Sequence, residues 1–195
     1  MSRIIGCKNL HIAKLTKDDA TGATWEQPVP VKSLISISIT DQKENVTFYS
    51  DDSVEEVIPT FGSKEVSIEL GNLTPEIEAM ISGNTYENGV FVQDSNSVSK
   101  EYALLFRAPL SKGGFQYVCL YKGVLSRTES NYKSKEDSIE GQTVTLNGVF
   151  MPLVYNGNVA IKANSTDVEA DATIKKWFTE VQLAPAVGMR TAKEK

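Results

Sequence analysis

Ile35, Ile37 and Ile39 alternate with Ser36, Ser38 and Thr40, a period of two that predicts a strand with one buried and one polar face. Val66, Ile68 and Leu70 repeat the rhythm against Glu65, Ser67 and Glu69. Residues 102–108 are apolar on both parities apart from Arg107, and residues 115–121 apart from Gln116, which predicts two central strands covered on both faces. Between them Pro109, Leu110, Ser111, Lys112, Gly113 and Gly114 form a turn-rich connection of hairpin length, so the two should pair antiparallel. Val144, Leu146, Gly148 and Phe150 predict a further strand, with Gly148 marking a bulge or a close backbone approach. Asn156-Gly157 supplies a tight turn into another strand over 158–163.

Two stretches change to a helical period. Thr74 as N-cap, Pro75 at the first helical position, Glu76 in the first turn and Gly83 as the stop frame a short helix with Ile77, Met80 and Ile81 on one face. A second helix is predicted over 171–181, where Ile174, Trp177, Phe178 and Val181 repeat at i, i+3, i+4 and i+7, with Thr166 and Glu169 offering a capping box before it. Both stripes read as core-packing faces rather than cofactor boxes. Residues 18–30, 40–63 and 126–141 read as loops, and the second is long enough for a compact domain to suggest function. Residues 186–195 lack a periodic apolar pattern and read as a flexible C-terminal tail after a single domain over 1–185.

Composition narrows the classes. The 195 residues carry 20 Lys and Arg against 25 Asp and Glu, a formal charge of −5 that argues against a nucleic-acid binder. With 41% hydrophobic residues the chain should fold, and no apolar run approaches the roughly 18 residues of a membrane span. Lys8 and Asn9 interrupt the apolar stretch near the N-terminus before a signal-peptide core forms, which predicts synthesis and retention in a cytoplasm-like compartment. The sequons at Asn45, Asn72 and Asn164 then read as chance. Cys7 and Cys119 lie far apart without a CxxC pattern, and read as small buried hydrophobes.

Candidate chemistry is sparse. A Ser or Cys nucleophile usually works with a histidine base, and the sole histidine, His11, lies in an apparent strand between Leu10 and Ile12, where a structural role fits best. The carboxylate pairs Asp18-Asp19, Asp51-Asp52 and Glu55-Glu56 would need to converge in a sheltered cleft for acid/base work, and as neighbours in polar segments they read as solvated. Asp41, Asp51, Asp52, Glu55 and Glu56 supply oxygens of the kind calcium takes, without EF-hand spacing. Neither a GxGxxG nor a Walker-type motif is present. Lys122, Lys133 and Lys135 interleave with Tyr121 and Tyr132 as on single-strand-binding surfaces, but Glu129, Glu136, Asp137 and Glu140 dilute the charge. The expectation is therefore no catalytic residues, no cofactor and no metal: a β-rich assembly protein rather than an enzyme.

Four ordered segments carry a resemblance across nearly the whole chain: GCKNLHIAKLTKDDATGATWEQPVPV, ENVTFYSDD, LLFRAPLSKGGFQYVCLYKGVLSR and IKKWFTEV. In this combination, most specific at residues 6–15, 49–52, 107–123 and around Trp177, the sequence resembles major tail tube proteins of long-tailed bacteriophages (siphophages). It departs from relatives at Trp25-Glu26, where an aromatic-Gly pair is common, and at Ser50, where many carry Ala. The resemblance implies a two-sheet antiparallel β-sandwich or barrel with a flanking helix and a long loop, related in fold to the tube protein of type VI secretion systems. It implies six copies in a ring, rings stacked into a tail tube, DNA passing through the lumen at ejection without specific binding, and no membrane. Implied partners are further copies of the chain and the tape-measure, tail terminator and distal tail proteins. Implied locations are the host cytoplasm during assembly and then the virion tail.

Residues 40–63 fit two roles. Val46, Phe48, Tyr49, Asp51, Asp52, Val57, Ile58 and Phe61 supply side chains for a contact between stacked rings, and the same stretch fits an ordinary hairpin covering its own subunit. Six copies at −5 each bring a ring to −30, which suits a channel that repels phosphate. Two rivals share parts of this profile: another virion component, such as a tail terminator, head-tail connector or capsid decoration protein, and a small hydrolase or carbohydrate-binding sandwich using carboxylates near Asp51 and Trp25.

Overall fold

Alternating apolar positions build a chiefly antiparallel β body in the computed structural model, which describes residues 2–50, 53–128 and 143–184 and, within them, the side chains outside 43–50 and 54–61. The described strands are β1 (Lys8–Asp19), β2 (Gly22–Trp25), β3 (Val29–Val31), β4 (Leu34–Ser50), β5 (Ser53–Leu70), β6 (Thr85–Glu87), β7 (Val90–Val92), β8 (Tyr102–Pro109), β9 (Phe115–Arg127), β10 (Val144–Met151) and β11 (Ala160–Asn164). Two short helices, α1 (Pro75–Ser82) and α2 (Asp171–Lys175), accompany them. Nine strands share one sheet in the order β2-β1-β8-β9-β10-β5-β4, with β3 added to β1 and β11 to β9, while β6 and β7 form a separate two-stranded sheet. The expected two layers are thus two halves of one hydrogen-bonded sheet packed about a common core. No helix among the described residues is long and apolar enough to cross a membrane.

The double-sided apolar pattern of β8 has a direct cause. Tyr102, Leu104 and Phe106 enter a core with Leu10, Ile12, Val66, Ile68, Leu70, Phe150 and the α1 residues Ile77 and Ile81. Ala103 and Leu105 enter a second core on the opposite face, with Tyr117, Cys119, Tyr121, Leu153 and Trp177. Central strands packed on both faces lose the polar half of their alternation. β8 and β9 pair antiparallel through the Gly113-Gly114 turn, as the sequence predicts, with both glycines at positive φ.

Gly148 marks a close approach, not a bulge. The β10–β9 register runs unbroken past it, and a Cβ there would stand 2.6 Å from Leu125 Cδ2 and 2.9 Å from the Val124 carbonyl. Its cross-strand neighbourhood holds a second bare backbone at Gly123, where the Phe150 ring occupies the space a Cβ would take, at 2.5–2.7 Å. Gly123→Ala should therefore destabilise the fold by about 1–3 kcal/mol, because the Phe150 ring must move within a filled core. Urea unfolding checks this, and an unchanged midpoint would show that the ring yields freely.

α1 keeps its predicted punctuation: Thr74 is the extended N-cap residue, Pro75 follows, and Gly83 closes the helix at φ +72°. Thr74 contributes no side-chain cap bond, so the start rests on Pro75 and backbone geometry. Tyr102 Oη donates to the Met80 carbonyl, and Arg127 Nη1 meets both Glu78 oxygens at 2.9 and 3.1 Å. These bonds fasten the helix to β8 and β9.

Several expectations change. The stretch 40–63 is not a loop: the described residues on either side of 51–52 are the arms of a β4–β5 hairpin that pair from Leu34↔Leu70 to Ser50↔Ser53. Beyond Lys64 the arms pair only with each other, so no buried face imposes the alternation that would reveal strands. The stretch 18–30 includes the end of β1 together with β2 and β3, edge strands of only 4 and 3 residues. Ile35 is 50% exposed because it is the extra residue of a bulge between Leu34 and Ser36, which leaves Leu34, Ile37 and Ile39 against the core. The second helix ends at Lys175, and Trp177 and Thr179 continue in tighter three-residue turns. Thr166 and Glu169 form no capping box, since the cap position before the preceding 3-10 turn is Asp167 and makes no side-chain bond. Cys119 is buried as expected, whereas Cys7 is half-buried beneath Ile35. The strand expected over 158–163 runs over Ala160–Asn164. Most of the 126–141 loop and the whole 186–195 tail lie outside the described residues.

Candidate functional site

No catalytic constellation forms among the described residues. The His11 ring stacks on Phe178 at 4.6 Å between centroids, and its Nδ1 lies 3.0 Å from the Asn9 carbonyl oxygen. Asp18 and Asp19 diverge. Asp18 accepts from Lys122 Nζ at 2.9 Å and from the backbone N–H groups of Val154 and Tyr155 at 3.0 and 3.1 Å. Asp19 turns to the Thr21 hydroxyl and N–H at 2.6 and 2.8 Å, which hold its pKa at about 2. Asp41 forms an ion pair with Lys64, and no group of three metal-ligating side chains occurs among the described residues. Asp51 and Asp52 lie outside the described residues, and the side chains of Glu55 and Glu56 outside the described side chains. Lys122, from the candidate single-strand-binding set, is 14% exposed and occupied by Asp18.

The remaining surfaces are of a kind that meets other chains. β4 is an edge strand of 17 residues, paired on one side with β5 and on the other with no strand among the described residues. Such a row of free N–H and C=O groups is a template for further pairing. The hairpin beyond Gln42 projects roughly 30 Å at 3.3 Å per residue. Of the candidate contact residues, Val46 is opposite Ile58, Tyr49 opposite Val54, and Val57 and Phe61 opposite Thr47 and Lys43, while Phe48 pairs with Glu56. The pairing therefore brings these positions onto one projecting ribbon.

A second surface comes from register alone. On the outward face of β4, β5, β10 and β9, Thr40 pairs with Glu65 and Glu65 with Val149; Ser38 pairs with Ser67, Ser67 with Asn147, and Asn147 with Ser126; Ser36 pairs with Glu69, and Glu69 with Thr145. These cross-strand rows hold two carboxylates, hydroxyls and an amide, and neither Lys nor Arg. Ser36 Oγ donates to Glu69 Oε2 at 3.3 Å, and Asn147 Nδ2 to Thr128 Oγ1 at 2.7 Å. Polar alternation within each strand is visible in the sequence; the assembly of those positions into three adjoining rows without Lys or Arg, bordered by the Met151–Lys122 pair, required the strand order, which places β10 beside β5. The opposite half of this face, over β8 and the first part of β9, is covered by the segment carrying Trp177.

A family model described as phage tail tube protein matches residues 30–181. That span takes in the projecting hairpin, both cores and the Trp177 segment. No curated protein gives a significant match to the chain.

Proposed function

This chain belongs to the phage tail tube protein family, and from that premise we propose that six copies close into a ring and that rings stack into the conduit through which DNA is ejected. Family membership makes it a structural component of the virion tail. The observation that carries the finer reading is the free edge of β4 continued into a projecting ribbon. In a ring, a neighbour satisfies the sheet edge without leaving a terminal sticky strand, and the ribbon reaches past the body toward the next ring.

In this arrangement the rows of β4, β5, β10 and β9 that carry Glu65, Ser67 and Glu69 line the lumen, with Lys122 at their border held by Asp18. Glu65 and Glu69 repel phosphate, and short hydroxyl and amide side chains keep the wall wet without the Lys and Arg contacts that dominate DNA affinity. The residues 46, 48, 49, 51, 52, 57, 58 and 61 then serve the contact between rings. Tape-measure, terminator and distal tail proteins are the partners at the ends and in the lumen.

Electron microscopy of the concentrated protein tests the reading: hollow tubes of stacked rings are the expected product, whereas isolated rings or caps would favour a terminator, connector or decoration role. Replacing residues 44–60 by a two-residue turn should leave the body folded and abolish tubes. Normal tubes from that variant would remove the hairpin from the stacking contact.

A further inference from the structure

Two exposed apolar surfaces of this chain carry opposite, unpaired charges. One lies where the N-terminal segment is fastened to the β8–β9 turn: Ile4 bridges Leu110, Ile5 N–H donates to the Pro109 carbonyl at 3.0 Å, and Arg3 N–H donates to Ser111 Oγ at 2.9 Å. There Ile4 and Ile5 are 57% and 65% exposed. The bulged Ile35 joins them through the Cys7 Sγ contact to its carbonyl, and a shallow groove beside it is lined by Lys8 and Lys32. Lys8, Lys32 and the nearby Lys112 enter no ion pair among the described residues, and Glu76 is the acidic residue that shares a neighbouring groove with Lys32.

The other surface is the β6–β7 hairpin, which packs on α1 and pairs with no other strand among the described residues. Its register sets Glu87 opposite Val90 and Thr85 opposite Val92 on one face, while Phe91 turns toward Leu73 and Ile81. Val90 and Val92 are 58% and 54% exposed, Glu87 enters no ion pair among the described residues, and Asp94, two positions beyond Val92, accepts at Oδ1 from the Asn96 N–H at 2.9 Å and enters no ion pair there either. A lone two-stranded hairpin is marginal in water, and one that presents two valines to solvent is incompletely covered.

We infer that the β6–β7 hairpin of one copy docks on the N-terminal corner of a second copy, Val90 and Val92 against Ile4, Ile5 and Ile35, with Glu87 and Asp94 facing Lys8 and Lys32. Each surface is apolar at its centre and charged at its rim, and the signs are complementary, so contacts of like surfaces are disfavoured and the unlike contact is selected. Because the two surfaces differ, the contact is head-to-tail: every copy offers one of each, and addition continues until a ring closes. This deepens the ring reading by naming one of its contacts, but the docking can be tested without tubes.

The test is disulfide trapping in a Cys7→Ser background, with buried Cys119 retained. Ile5→Cys protein mixed with Val90→Cys protein should give a crosslinked heterodimer under mild oxidation, and the double variant should give a ladder. Adding Lys8→Glu and Lys32→Glu should lower the yield by roughly tenfold. Reversing the partner charges with Glu87→Lys and Asp94→Lys should restore it, a rescue that loss of folding cannot imitate. Absence of the heterodimer, dominance of Ile5→Cys homodimers, or failure of the charge rescue would overturn the contact. Tubes forming without the trapped pair would remove this contact and leave the tube reading standing, while a trapped ladder in protein that never forms tubes would do the reverse.

Discussion

Trp177→Ala should cost about 3–5 kcal/mol, the range for emptying a large aromatic site in a packed core, and lower the melting temperature by roughly 10 °C in a domain of this size. The Trp177 side chain is fully buried, meets Tyr117 edge to face at 5.6 Å, and is the largest buried side chain of the core between the sheet and the C-terminal segment. The segment is also tied by Phe178, which stacks on His11, and by Tyr121 Oη, which donates to the Gln182 carbonyl and accepts from the Ala184 N–H, each at 3.0 Å. Trp177 Nε1 is buried without a hydrogen-bond partner among the described residues. A buried donor without a partner is a cost rather than a contribution, so Trp177→Phe relieves that cost while losing packing and should cost about 1–2 kcal/mol. A loss from Trp177→Phe as large as that from Trp177→Ala in urea unfolding would overturn this ranking.

Asp18→Ala should come next, at about 1–3 kcal/mol, because it removes the nearest counter-ion of the half-buried Lys122 ammonium and the acceptor of two backbone N–H groups. Asp18 and Lys122 are half-buried, with side-chain exposures of 4% and 14%, and the supplementary Glu101 carboxylate is more distant, at 3.8 Å. Burial by itself raises the Asp18 pKa, but the Val154 N–H, Lys122 and the Tyr155 N–H together outweigh it and hold the carboxyl below its ordinary range. A depressed folded-state pKa means that the contribution is fully present above the unfolded value, about 3.9, and is lost as pH falls below that toward the folded pKa. Asp18→Asn, which keeps an acceptor oxygen for the backbone donors, should cost less than Ala and flatten the acid limb of stability against pH. Acid titrations of the wild type and both variants check this; parallel acid limbs would show that Asp18 is not linked to folding.

The projecting hairpin and the Asp18 tie show where sequence reading reaches its limit. A strand announces itself by alternation only when one face is buried against the rest of the chain. β5 announces itself from Val66 onward and falls silent before Lys64, where its sole partner is β4. Residues 40–63 consequently look like a loop, although their apolar positions were legible as a surface for contact. Asp18 looks like half of a solvated acidic pair because its partners are 104 and 136–137 positions away. The lumen face required cross-strand register, a long-range quantity: no local window sets Glu65 beside Val149.

Local physics in the sequence determined the double-sided strands β8 and β9, the close approach at Gly148, the limits of α1 and the sparse chemistry. Each depends on side-chain periodicity, glycine, proline or residue type within a few positions. Tertiary structure decided the joining of nine strands into one sheet, the bulge that expels Ile35, the shortening of the second helix around Trp177, the burial of Asp18 and the placing of two oppositely charged apolar surfaces on one chain. Those outcomes follow from which distant strands share hydrogen bonds and which faces remain uncovered, and that competition is settled only when the whole chain packs.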